Sequence, residues 1–486
     1  MLNLRLIYKI LGSLLFLEAV FMSVCLGVSI FYMEDDIIAF ILSILVTVLA
    51  GFGFRTLGAS STDSMMSRRD AFLVVTLTWS IYSLFGTLPF VIGGYIPNFT
   101  NAYFETMSGF TTTGATILDD VEHLPHGILF WRSLTQWIGG LGIVFFTIAI
   151  LPSMVGGSVK VFAAEATGPV KTKLHPRLSM SAKSIWVIFL VLSIACMICY
   201  RLLGMGWFDS INYAMSTIAT GGFATHNDSL AYYNAPVLQY VSTAFCFVSG
   251  INFVMLYRAV IRGELRSVWV NSEFKFYCGA TAVFTAAIMV ALMQRCGYDV
   301  EQAFRCAVFQ VVSFITTTGL FNDDVGQWPH VTWVLLALCM FMGACSGSTS
   351  GGFKSIRCVM VLKVIQNEFK QMLHPKAVLP LRIAETNIPM QQRVTLLAFL
   401  SAYCLLCIIC ATAMIAAGVD NTNAITITVS TLSNVGPTLG LEIGPTMSWN
   451  ALPGFAKWIC SLLMLMGRLE IFSVLMIFTP TFWRDH

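Results

Sequence analysis

Ten stretches of this chain are each long and apolar enough to cross a lipid bilayer, and that pattern limits it to very few folds. A span needs about 20 apolar residues, with a usual range of about 17–25. The qualifying segments run over roughly 5–31, 37–57, 71–93, 127–150, 184–204, 236–262, 276–293, 331–370, 393–417 and 455–480. In hydrocarbon the backbone must satisfy its own hydrogen bonds, so each segment predicts a helix. Only 11% of the 486 residues are charged, against about 25% in a soluble domain, so most of the chain takes lipid as its solvent. The expected fold class is an all-α polytopic membrane protein with ten membrane spans. The opening run MLNLRLIYKILGSLLFLEAV starts positive, as a signal peptide does. It has no small-residue cleavage site and runs on too long, so it reads as a retained first helix.

Lysine and arginine placement orients the spans, because cytoplasmic loops hold an excess of both. Most of the 28 basic residues fall in the N-terminus, 51–70, 151–184, 258–275, 354–393 and the C-terminus. The opposite loops hold Glu34, Asp35, Asp36, Glu105, Asp119, Asp120, Glu122, Asp299, Asp323 and Asp324. Both termini are therefore expected in the cytoplasm. A net charge of +3 gives no reason to expect nucleic acid. The cysteines at 196 and 199, and at 404, 407 and 410, have metal-like spacing, yet no histidine pairs accompany them. An interval of three stacks small residues on one helix face, so they read as packing.

After the third, fifth, seventh and ninth spans comes a segment too short and too polar to cross. The four read NAYFETMSGFTTTGAT, DSINYAMSTIATGGFAT, AVFQVVSFITTTGLFNDD and AITITVSTLSNVGPTLG. Aligned on one glycine they give Thr113-Gly114, Thr220-Gly221, Thr318-Gly319 and Val435-Gly436, with Ser108, Met215, Ser313 and Ser430 six residues earlier. The chain therefore divides into an N-terminal helix pair (1–60) and four helix–pore-loop–helix pseudo-repeats at 70–150, 183–265, 275–373 and 393–482.

Non-helical backbone at membrane depth must be buried in protein or line a watery cavity. Four such strands meeting on one axis can turn carbonyl oxygens inward and replace an ion's hydration shell. Glycine suits this because it reaches backbone angles closed to other residues. A short helix entering from outside aims its partly negative C-terminus at the membrane centre, which favours a cation. Oxygen ligands suit alkali ions, and acidic residues outside the mouth would concentrate them. The expected filter residues are Thr112, Thr113 and Gly114; Ala219, Thr220 and Gly221; Thr317, Thr318 and Gly319; and Asn434, Val435 and Gly436. Hydroxyl ligands are missing at Ala219 and Val435, so fourfold symmetry holds only for the backbone. Arg132 and Gln136 share a helix face and are expected to brace the pore helix rather than to bind ions. Asn252 is expected to bond between helices. Asn98-Phe99-Thr100 matches a glycosylation acceptor by accident, and the basic stretch 160–183 reads as a solvated loop or, equally, as a dock for an acidic partner or lipid headgroups.

The eighth span contains GACSGSTSGGF at 343–353. Each glycine costs a helix about 1 kcal/mol relative to alanine, so Gly343, Gly347, Gly351 and Gly352, with Ser346, Ser348, Thr349 and Ser350 among them, should break it. Lys354 follows. This run is expected to form an intramembrane gating loop below the third filter strand. In the last span Arg468 lies among apolar residues, where a charge costs about 2.5 kcal/mol or more, so it should face the interior. It is expected to satisfy loop carbonyls and to place a positive barrier on a cation's route. Glu470 is two residues on, the wrong spacing for a same-face pair, and has no evident partner.

The four glycine strands, the break at 343–352 and the arginine of the final helix resemble the Trk/Ktr/HKT potassium transporters. Within that superfamily the chain is most similar to the bacterial Trk-type pore subunit, over essentially its whole length. The resemblance implies potassium uptake, with potassium held by the filter residues as substrate and no cofactor. It implies one pathway per chain, a homodimer in the cell inner membrane, and a cytosolic nucleotide-binding regulatory subunit (TrkA-like). It also implies that glycine at the first filter position goes with potassium and serine there with sodium. One rival reading is a sodium- or proton-coupled secondary transporter, which calls for two-fold rather than fourfold repetition. Another is a multi-pass membrane enzyme, but the seven histidines do not cluster and there is no Walker A run or nucleophile–base set.

Overall fold

The computed structural model describes residues 2–59, 66–142, 178–376, 379–383, 386–440 and 447–484. The C-terminal end of the fourth apolar segment (143–150) and residues 160–177 of the basic stretch lie outside them.

Wherever it is described, every apolar segment is mainly helical. Leu4–Tyr32, Ile37–Leu57, Leu178–Leu202, Ser272–Arg295 and Met390–Ala416 are continuous helices, and Arg68–Gly86 is carried on by Leu88–Ile92. The fourth segment is helical over His126–Leu141. The helix His330–Met342 stops at Gly343 and the chain becomes helical again over Ser355–Leu373. The sixth and tenth segments depart from the expected straight spans. Pro236–Ser249 and Phe253–Arg262 meet at 104°, and Gly454–Arg468 and Ile471–Phe478 at 115°. Tertiary bonds stabilise the first bend: Asn252 caps the second piece by accepting from Val254 and Met255 N–H, while Phe253 N–H donates to the Gly347 carbonyl. At the second bend Glu470 takes a left-handed φ of 62°. A two-residue antiparallel ribbon, Arg382–Ile383 against Thr386–Asn387, is the small exception to the helical architecture.

Four short helices, Phe99–Phe110, Trp207–Ala219, Val300–Ile315 and Asn421–Ser433, lie between the long ones. At a rise of about 1.5 Å per residue, they cannot cross a bilayer. Three begin on side-chain caps: Asn98, Asp299 and Asp420 accept from the first-turn N–H groups. Asn98 thus has a structural duty inside its glycosylation-like triplet. The short helices are the more polar elements, yet they occupy the centre: Phe104, Phe110, Ile218, Phe314 and Ile427 are fully buried. The long helices surround them and present Leu45, Val283 and Ile408 outward. This inside-out distribution follows from lipid as solvent, because polar backbone ends can be satisfied only in the interior.

Candidate functional site

Each short helix ends in the same backbone path. The chain turns left-handed at Thr112, Thr220, Thr317 and Asn434, with φ of 54°, 54°, 57° and 55°. It does so again two residues later at Gly114, Gly222, Gly319 and Gly436, with φ of 81°, 86°, 77° and 97°. Between them, the N–H groups of Thr113, Gly221, Thr318 and Val435 reach back to the carbonyls of Ser108, Ser216, Ser313 and Ser430, at 2.8–2.9 Å. A left-handed non-glycine residue costs about 1–2 kcal/mol, so four at matching places mark a conformation that the surrounding structure imposes.

This path corrects the expected register of the second strand by one residue. Gly222, not Gly221, matches Gly114, Gly319 and Gly436, and Ser216 replaces Met215 as the fourth serine. Ala219 is the last residue of its helix rather than part of the strand. Thr220-Gly221-Gly222 offers two glycines, and only the left-handed requirement decides between them.

The strands close a ring. A Cβ placed on Gly114 would collide with the Gly221 carbonyl oxygen; one on Gly222 would strike the Thr318 oxygen. Likewise Gly319 faces the Val435 oxygen and Gly436 faces the Thr113 oxygen. Each strand thus sets its glycine against the next strand's carbonyl, and the fourth returns to the first. Gly114, Gly222, Gly319 and Gly436 all line one cavity, together with Asp119 and His226.

The threonine hydroxyls brace rather than face this ring. Thr113 bonds to Thr111 at 2.8 Å and Thr318 to Thr316 at 2.7 Å. Asn434 donates to the Thr113 hydroxyl at 3.0 Å and to the Met464 carbonyl at 2.8 Å. Behind the first two strands lies a buried ion pair, Arg132 to Glu105, at 2.9 Å. The Glu105 carboxylate also accepts from Thr116 Oγ1 and Ile117 N–H, while Arg132 reaches the Ala224 carbonyl and stacks on Phe223. Removing one partner strands a buried charge, which costs about 3–5 kcal/mol. Glu105→Leu is therefore expected to lower the melting temperature of purified protein sharply, and an unchanged melting curve would contradict the brace.

At the mouth, His226 stacks on Tyr232 with centroids 3.6 Å apart and lies 3.4 Å from Glu122 and 3.6 Å from Asp209. Burial alone would lower its pKa, but Asp209 and then Glu122 outweigh it and hold the imidazole above its ordinary value. Burial would raise Asp209, but contacts from His226, Tyr233 and Thr225 hold it below its ordinary value. A histidine raised on folding adds stability that is complete below its unfolded pKa, about 6.5, and is lost as pH rises through the folded value. For Asp209 the sign is opposite: its contribution is present above about 3.9 and disappears as pH falls through the lowered value. The melting temperature is expected to decline as pH is raised from about 6 to about 9, and His226→Gln to flatten that slope. An identical slope in the variant would contradict the assignment.

Below the ring, residues 343–354 form a compact loop with left-handed turns at Gly343, Gly347, Gly352 and Lys354. Ser346 is held between Glu273 and Asn252: its N–H donates to the Glu273 carboxylate and its carbonyl accepts from the Asn252 amide. Asn252 thus does bond between elements, besides its capping role. Ser348 and Ser350 pair at 2.7 Å, and Lys354 donates to the Ser350 carbonyl. The loop touches the strands directly: Gly351 N–H donates to Thr317 Oγ1 at 2.7 Å. Arg468 gathers four groups, donating to the carbonyls of Thr349 (2.7 Å), Gly139 (2.6 Å) and Gly140 (2.7 Å) and to Thr112 Oγ1 (3.3 Å). Glu470 pairs with Arg357 at 2.7 Å, joining the breaks of the eighth and tenth segments. Nothing in the sequence signalled that pair or the Glu273 contact, since both partners are brought together only by tertiary folding. Among the described residues no cluster of histidine, cysteine and carboxylate side chains could hold a metal ion.

The profile of the TrkH family, described as cation transport protein, matches residues 34–279 and 281–484. The Trk system potassium uptake protein TrkH of Halomonas elongata is 36% identical over 484 residues, covering 99% of this chain and all of that protein. Its namesake from Escherichia coli K12 is 38% identical over 428 residues, 86% of this chain and 87% of that protein. The crystal structure of the potassium transporter TrkH from Vibrio parahaemolyticus superposes with a TM-score of 0.90 at 34% identity, covering 99% of this chain and 100% of that one.

Proposed function

This chain belongs to the TrkH family of cation transport proteins, and on that premise we propose how it carries out potassium uptake. It is a membrane transport protein rather than an enzyme, and potassium is its substrate. The observation that carries the proposal is the closed cycle in which each strand's glycine abuts the next strand's carbonyl. A potassium ion sheds water at the mouth and is held by the carbonyls of Thr113, Gly221, Thr318 and Val435 and of the residues flanking them. The C-terminal ends of the four short helices converge on the same strands and favour a cation there. Threonine hydroxyls stabilise the strands from behind, so the symmetry that matters is that of the backbone.

The ion then meets the loop at 343–353. Gly351 and Arg468 bind this loop to Thr317 and Thr112 at the base of the strands, so blockage below and geometry above are linked. Withdrawal of the loop opens the route, and the Arg468 guanidinium sets a positive barrier along it. The membrane potential supplies about 2.3 kcal/mol per charge per 100 mV, enough to drive entry without chemistry.

In this proposal ten spans cross the cell inner membrane with both termini in the cytoplasm. An N-terminal helix pair precedes four pseudo-repeats, and the sixth, eighth and tenth spans are broken on the cytoplasmic side of the strands. The protein works as a homodimer whose loop position is set by a cytosolic nucleotide-binding regulatory subunit. Purified protein in vesicles is expected to take up potassium under an inside-negative voltage, with sodium a poor substitute and no need for a pH gradient. Uptake that vanished without a proton or sodium gradient would instead support the coupled secondary transporter.

A further inference from the structure

The second strand differs from its neighbours where they are most alike. Strands one and three read Thr-Thr-Thr-Gly over 111–114 and 316–319, and their outer threonines pair hydroxyl to hydroxyl. The second reads Ala219-Thr220-Gly221-Gly222, so both members of that pair are missing. Their space is filled from another helix. A Cβ on Gly221 would lie on the side chain of Gln136, which is fully buried. Gly221 does not have a left-handed φ, so backbone conformation does not demand glycine there; the Gln136 side chain does.

Gln136 makes three hydrogen bonds, all to this strand or its helix. Its Oε1 accepts from Ser216 Oγ at 2.9 Å and from Phe223 N–H at 3.1 Å. The Phe223 N–H can only donate, which fixes the orientation of the amide and leaves Nε2 to donate to the Gly221 carbonyl at 2.7 Å. Gly221 supplies one of the four ring oxygens. Among the described residues, the matching carbonyls of Thr113, Thr318 and Val435 accept no such bond from a side chain. Among the described residues, one oxygen in four is therefore held and polarised by a side chain, while the other three are not.

We propose that Gln136 is a positioning residue for ion selectivity, standing in for the missing threonine pair and fixing the position and field strength of the Gly221 carbonyl. A carbonyl that already accepts a hydrogen bond offers an ion a weaker field, and one anchored from behind cannot collapse onto a smaller ion. Both effects disfavour sodium against potassium. The inference rests on the reading of the four strands as a selectivity filter.

The test measures potassium and sodium flux through purified protein in vesicles for Gln136→Met, Gln136→Ala, the double variant Gln136→Ala/Gly221→Val, and Gly436→Ser. Gln136→Met keeps the volume but removes the donor; potassium-over-sodium selectivity is expected to fall about tenfold, the weight of roughly one hydrogen bond, with potassium flux retained. Gln136→Ala should lose at least as much. The double variant, which refills the space with the valine that serves at Val435 in the fourth strand but supplies no donor, should do no better than Gln136→Met. Wild-type selectivity in Gln136→Met would overturn the inference. So would lost transport with unchanged selectivity in the residual flux, or a double variant restored to wild-type selectivity. Gly436→Ser separates the two levels: if it alters selectivity while Gln136→Met does not, only the role of Gln136 fails, and if neither does, the filter reading fails too.

Discussion

Gly222→Ser is expected to cost the protein its preference for potassium over sodium, to the same degree as Gly114→Ser. Two independent physical effects act at this position. Gly222 has a φ of 86°, where an L side chain carries about 1–3 kcal/mol of backbone strain. Its Cβ would also collide with the Thr318 carbonyl oxygen, one of the four ring oxygens, so relief of strain must displace a ligand. Since about 1.4 kcal/mol is a factor of ten, the selectivity ratio should fall by about ten- to a hundredfold in vesicle flux. The comparison also tests the register. If Gly221 held the ring position, Gly222→Ser would leave selectivity near wild type, and the backbone alignment of the four strands would be wrong.

Arg468→Ala should produce a leak. The guanidinium joins three elements that share no covalent connection nearby: the intramembrane loop through Thr349, the first strand through Thr112, and the end of His126–Leu141 through Gly139 and Gly140. A hydrogen bond from a charged group contributes about 1.5–3 kcal/mol, so losing several frees the loop from its blocked position. It also removes the positive charge that opposes a cation at this depth. Potassium flux without the regulatory subunit is expected to rise about tenfold or more, in keeping with the loss of at least one such bond. Arg468→Lys should behave as a partial version, because an ammonium group cannot present a planar fork to four acceptors. Wild-type flux and wild-type regulation in a properly folded Arg468→Ala protein would contradict the gating role.

The long helices were legible because their signal is hydropathy summed over about 20 residues, which local detail hardly alters. The four short helices were legible for a related reason: a polar run at a fixed place after an apolar one recurs four times. The bends at 250–252 and 469–470 were not. Their residues include a single glycine, Gly250, and the second bend has none; what shapes them is tertiary, such as Phe253 N–H on the Gly347 carbonyl and Glu470 on Arg357. A pair separated by 113 positions leaves no trace in local spacing. The slip at Gly221 has a different origin. Residue identity could not rank two adjacent glycines, whereas a left-handed turn can be occupied by only one of them. The role of the threonines was half legible: their number at the strands stood out, but whether a hydroxyl faces the axis or the scaffold depends on side-chain geometry that Thr111 and Thr316 decide.

The central claim is that four backbone strands replace the water around a potassium ion on one axis. Its most direct test is a structure determined in rubidium or thallium, heavier stand-ins for potassium, and again in sodium alone. Density for the heavy ion is expected on the axis among the carbonyls of Thr113, Gly221, Thr318 and Val435, and it should fade in sodium. Heavy-ion density confined to some other part of the protein, with none inside that ring, would contradict the account.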